Sequence, residues 1–175
     1  MKKTIVNVSD AENEAYLKKL PYRPGVGLVI LNSKLEVFVG RRVDTKGDAW
    51  QMPQGGIDEG ETPEEAAMRE MKEEIGTNNA KIIGETKQWY KYDLPFYLIS
   101  KLWNGRYRGQ RQKWFLLQYL GEDKDIDLKY ADIEFSDWKW VNIEGLTEII
   151  VPFKKNLYLA VIEEFRDLFL SLKEK

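Results

Sequence analysis

The sequence predicts an α+β domain, a mixed β-sheet with helices packed against it. Three observations carry that reading. Strand-like runs and helical segments are mixed along the chain without the regular alternation of a doubly wound fold. Two segments carry strong helix signals, one acidic and central and one apolar and C-terminal. At 175 residues, 43% of them hydrophobic, the chain matches the size of one core.

The elements follow in order. Residues 1–20 read as a loosely held N-terminal extension. In it Ser9, Asp10, Ala11 and Glu12 fit the capping box of a short helix. Residues 21–175 then form one domain. Segments 26–31 and 35–42 read as strands around a turn at Asn32 and Ser33. A third short strand at 50–52 is stopped by Pro53. Further strand-like runs lie at 81–92, 113–120 and 138–141. The end is helical, with Leu157, Val161, Ile162, Phe165, Leu168, Phe169 and Leu172 at three- and four-residue intervals.

The central helix, residues 63–75, has a complete set of terminal signals. Thr62 is an N-cap, Pro63 suits the first helical position and Glu65 closes the capping box. Gly76 is placed to end the helix in a left-handed conformation. At about 100° per residue, Glu70, Glu73 and Glu74 share one stripe beside the apolar stripe of Ala67, Met68, Met71 and Ile75. Like charges at this spacing destabilise a helix, and oxygen-rich clusters of this kind hold hard cations. For the helix alone, a solvated acidic face with the ion pair Glu65–Arg69 is the simpler reading, because such faces are common.

Composition narrows the chemistry. There is no Cys and no His, which excludes disulfides, thiol nucleophiles, Cys/His zinc sites and imidazole bases. A metal must be held by oxygen, favouring Mg²⁺ or Mn²⁺. Net charge is −2, but residues 55–74 hold eight acids against two bases, and residues 101–113 hold five bases and no acid. Such a pair of blocks suits an anionic substrate bridged by a cation. No run is long and apolar enough to span a membrane, and a cytoplasmic protein is the simplest reading.

Residues 55–77, GGIDEGETPEEAAMREMKEEIGT, place Gly55, Glu61, Arg69, Glu70, Met71, Glu73, Glu74 and Gly76 at the fixed positions of the Nudix box. Only Thr77 departs, at a packing position. The sequence therefore resembles the Nudix hydrolases. The likeness implies an α/β/α sandwich in which a loop-helix-loop binds divalent metal and a phosphoric anhydride bond is cleaved. It implies Glu70, Glu73 and Glu74 as metal ligands, joined by Gly55 and Glu134. Either Glu73 or Glu74 would activate the water, and Arg69 with Glu61 would orient the set.

Stretches at 22–27, 49–56, 109–115 and 134–135 extend the resemblance to the branch of RNA pyrophosphohydrolases and dinucleoside polyphosphate hydrolases. That branch implies Arg23 and Arg42 at the substrate phosphates and Tyr92 near the first bases. Lys154, just after Pro152 and near the start of the last helix, is a further phosphate candidate. The basic block adds Arg106, Arg108, Arg111 and Lys113 as phosphate contacts, interleaved with Trp103, Tyr107 and Trp114. Trp114, inside a strand-like run, fits the core better than a stacking site. The function expected is removal of pyrophosphate from 5′-triphosphorylated RNA, the first step of mRNA decay. The alternatives are hydrolysis of diadenosine tetra- or pentaphosphate and a non-catalytic module that binds nucleotide or RNA.

Overall fold

The computed structural model describes residues 10–44 and 47–175. Helix α1 (Asp10–Leu17) is present, while Ser9, its expected cap, lies outside the described residues. Next come β1 (Tyr22–Leu31), β2 (Val37–Arg42), β3 (Trp50–Gln51), β4 (Gln54–Gly56) and α2 (Pro63–Ile75). The second half holds β5 (Ala80–Glu85), β6 (Tyr90–Asp93), α3 (Phe96–Ile99), β7 (Gly109–Tyr119), β8 (Phe135–Val141), α4 (Leu146–Ile149) and α5 (Lys155–Lys173).

The spine of the sheet is the parallel pair β1–β7, in register from Tyr22 opposite Gly109 to Leu31 opposite Gln118. The other pairings are antiparallel: β2 and β4 on β1, β3 and β8 on β2, and β5 and β6 along successive parts of β7. Strand β1 is apolar on both faces because both are covered. Val26, Leu28 and Ile30 pack with Phe115, Leu117 and the Ala67, Met71 and Ile75 stripe of α2. Val29 and Leu31 pack with Trp114, Leu116 and Tyr158, Val161 and Phe165 of α5. Two helices thus enclose one mixed sheet, the α/β/α sandwich expected. Trp114 is fully buried in the α5 layer, and its indole lies where any side chain on Gly27 would have to go.

Helix α2 is fixed at both ends by local chemistry. Glu65 N–H donates to the Thr62 hydroxyl and Thr62 N–H to the Glu65 carboxylate. Gly76 ends the helix at φ +81, and a methyl group there would lie 2.5 Å from the Asp127 carbonyl oxygen. The Tyr158 hydroxyl accepts the Met52 N–H at 2.8 Å, so α5 also anchors the segment that leads into β4.

Candidate active site

Strand β4 and α2 are joined by residues 57–62, which fold back on Arg69. The guanidinium grips Glu61 through Nε and Nη2 at 2.7 and 2.8 Å. It also donates to the Gly56 carbonyl at 2.9 Å, to Glu70 at 2.8 Å and to Glu73 at 3.2 Å. One side chain therefore ties the loop to the acidic stripe. Donation to Glu61 raises the arginine's pKa further, and the same bond holds the Glu61 carboxyl below its ordinary range.

Glu70 and Glu74 face a cavity of about 400 Å³. Glu74 is buried, and its carboxylate accepts the Gln54 N–H at 3.3 Å. Burial, then the neighbouring charges of Glu70 and Glu134, pushes its pKa well up. Burial raises Glu70 as well, against the pull of Arg69. Gly55 and Glu134 line the same cavity. Glu70, Glu74 and Glu134 thus bring hard carboxylate oxygens, the donor type a divalent cation takes, to one cavity. Glu73 is not among the lining residues; it is half-exposed and turned to Arg69. Among the described residues no three carboxylates stand close enough together to hold a metal ion as they are, and Glu70 and Glu73 both bond to Arg69.

Cations are interleaved with these carboxylates around the cavity. Arg23, Arg42 and Lys154 all line the cavity, with Tyr92. Arg42 is clamped by Asp44 at 2.7 and 2.6 Å and stands 3.8 Å from Glu134. Lys154 is buried and donates to Gln51 at 3.1 Å. Burial, then the nearby Arg42 charge, lowers its pKa to about 7. Tyr92 donates to Gln110 at 3.2 Å, and burial raises its phenol to about 12. Arg23 stacks on Trp103 with its guanidinium carbon 5.2 Å from the ring centroid. Leu94, Leu98 and Leu102 complete an apolar side wall.

The basic segment departs from the expectation. Arg106, Arg108, Arg111 and Lys113 do not line the cavity. The reason is strand alternation: along β7, Gln110 and Gln112 turn inward and are buried, which turns Arg111 and Lys113 to the other face. Arg108 is held by Asp93 at 2.8 Å and by the Lys18 carbonyl, and Arg106 stands over Tyr107 in the loop before β7. Sequence reasoning in turn misses the amides. Gln112 donates to Gln54 at 3.0 Å and to Gln110 at 2.6 Å, and Trp114 donates to Gln112 at 3.1 Å. The signal for this network is the pair of amides two residues apart, leading into an apolar strand.

Comparison with known proteins agrees with this geometry. The NUDIX domain model matches residues 21–161. A protein of Rickettsia typhi (strain ATCC VR-144 / Wilmington) named RNA pyrophosphohydrolase is 58% identical over 149 residues, covering 85% of this chain and 92% of that one. Its namesake from Rickettsia prowazekii (strain Madrid E) is 57% identical over the same lengths. The E. coli dihydroneopterin triphosphate pyrophosphohydrolase structure shares the fold, with a TM-score of 0.63 at 23% identity over 79% of this chain and 94% of that one. The chain belongs to the NUDIX family and to the branch of it that these Rickettsia proteins occupy.

Proposed function

We propose that this chain is an RNA pyrophosphohydrolase that converts 5′-triphosphorylated RNA to the 5′-monophosphate, releasing pyrophosphate or two orthophosphates. The observation that carries the reading is the cavity itself, where Glu70, Glu74 and Glu134 line the same space of about 400 Å³ as Arg23, Arg42 and Lys154. A polyphosphate end carries the charge to pair with these cations, while the carboxylates would hold a divalent cation. Mg²⁺ is the cation proposed, with Mn²⁺ as a substitute, because every donor is a hard oxygen. Bound there, such a cation neutralises phosphate oxygens and lowers the pKa of a bound water.

The chain's own residues do the positioning. Arg69 holds the loop and the acidic stripe together, and Asp44 fixes the Arg42 fork. Of the two glutamates the sequence left open as activators of water, Glu74 lines the cavity and Glu73 faces Arg69, which supports Glu74. Tyr92 and the Trp103 ring stand where the first nucleotides would lie. The setting is the cytoplasm, in mRNA decay; among the described residues no helix is long and apolar enough to cross a membrane.

The test is a competition. Purified protein with Mg²⁺ receives a short RNA labelled on its γ-phosphate and an equimolar amount of diadenosine tetraphosphate. Faster conversion of the RNA supports the proposal, and faster cleavage of the dinucleotide moves the role to nucleotide clearance. No product with either cation overturns both and leaves a binding module. Glu74→Gln should abolish turnover with the fold intact.

A further inference from the structure

The displaced basic residues have an unassigned face of their own. The register of β6 on β7 sets Lys91 opposite Arg111 and Tyr92 opposite Gln110. Because side chains alternate along each strand, Tyr92 and Gln110 enter the cavity while Lys91 and Arg111 share the other face. Lys113 lies two residues along β7 from Arg111 and so on that same face. The Arg111 guanidinium stacks 4.6 Å from the ring centroid of Trp89, which is 37% exposed. Lys91 is exposed and lies over the Tyr22 ring at 5.0 Å.

Three cations therefore flank one partly open indole. None of the three has a carboxylate within ion-pair distance among the described residues. The neighbouring acid, Asp93, is taken by Arg108 and by the Tyr22 hydroxyl. Like charges across a strand pair destabilise the sheet, so the arrangement is one that an external polyanion would relieve. Flat rings beside a cationic track are how single-stranded nucleic acid is held without regard to sequence.

We propose that this face of β6 and β7 is a second binding surface for single-stranded RNA, taking nucleotides downstream of the 5′ end that the cavity holds. A base stacks on the Trp89–Arg111 pair, and Lys91 and Lys113 pair with the flanking phosphates. The cavity and the face are opposite sides of the same two strands, and β6, paired only with β7 among the described residues, is the edge round which the RNA passes. The inference rests on the RNA reading of the cavity and adds to it a preference for substrates longer than a few nucleotides.

The experiment separates the two. Fluorescence anisotropy with a twelve-nucleotide RNA bearing a 5′-hydroxyl measures the face alone, since that end carries no phosphate to cleave. Trp89→Ala and the double variant Lys91→Gln/Lys113→Gln should each weaken binding about fivefold or more. The double variant should also flatten the dependence of log affinity on log salt by about 0.7 for each phosphate that the two lysines no longer neutralise. In turnover, wild-type protein should show a lower KM for triphosphorylated twelve-mer than for triphosphorylated dinucleotide. Both variants should remove that difference while leaving dinucleotide kcat unchanged. Unchanged anisotropy and an unchanged KM ratio overturn the proposal and leave the face to an acidic protein. Variant-sensitive binding without turnover of any RNA keeps the surface and overturns the hydrolase reading instead.

Discussion

The Glu70 carboxylate occupies the space that a side chain on Gly55 would need. A methyl group there would lie 2.0 Å from the carboxyl carbon and 2.3 Å from both oxygens. The glycine is thus required by close approach, since β4 runs directly against the acidic stripe of α2. Gly55→Ala must push Glu70 off the cavity wall. Displacements near 1 Å in a catalytic set lower rates by about a hundredfold. We expect a loss of that order in kcat/KM toward triphosphorylated RNA, accompanied by weaker Mg²⁺ binding in calorimetry. Wild-type activity in Gly55→Ala would show that Glu70 has no fixed place in the reaction.

Arg69 spans both sides of the same joint, from the Gly56 carbonyl to Glu70. Lysine keeps the charge but cannot form the two-pronged grip on Glu61. Changes to the partners that orient ligating carboxylates typically lower activity or metal affinity by about 10–100-fold. Arg69→Lys should fall in that range with a melting temperature close to wild type, measured by steady-state kinetics beside a thermal melt. Full activity would mean that the loop holds itself.

What the sequence disclosed follows how local each signal is. Helix α2 was legible to the residue because its cap, its proline and its terminal glycine all lie within one turn of its ends. The run 81–92 reads as one strand but divides into β5 and β6. Between them, Thr86 N–H is taken by the Trp114 carbonyl, and its hydroxyl accepts the Trp114 N–H and donates to the Gln88 carbonyl. That division depends on a residue 28 positions away. Strand β1 starts at Tyr22 and not at Val26 because the parallel partner β7 recruits its polar end. The box marked Glu70, Glu74 and Gly55 for the cavity, but it could not show that Arg69 turns Glu73 aside. Charge counting found the basic block and missed its direction, which strand parity sets.

Glu74 makes the cation-free protein sensitive to pH. Burial holds its carboxyl well above the ordinary range. Between the unfolded value and that raised value the native state binds more protons than the unfolded chain, so this group's contribution to stability falls as pH rises. Glu74→Gln removes the penalty and keeps an acceptor for the Gln54 N–H. Without metal the variant should melt higher than wild type at pH 8, by a few degrees, given roughly 2–4 °C per kcal/mol at this size. The gap should close toward pH 4. Addition of Mg²⁺ should stabilise wild type and not the variant; equal metal-induced shifts would remove Glu74 from the cation site.

Lys154 works in the opposite sense. With its pKa lowered to about 7 by burial and by Arg42, the native state binds fewer protons than the unfolded chain from there to the ordinary lysine value. Stability from this group therefore rises with pH across that window. For the same reason the charge available to substrate phosphates disappears as pH passes about 7. KM for triphosphorylated RNA should rise through that point while a Lys154→Arg variant, charged throughout, keeps a flat profile. Lys154→Met should bind substrate poorly at pH 6, and its melting temperature relative to wild type should decline as pH is raised from 6 to 10. A pH-independent KM in wild type, or a constant difference in melting temperature, would place the lysine's proton elsewhere in the titration and remove it from phosphate binding.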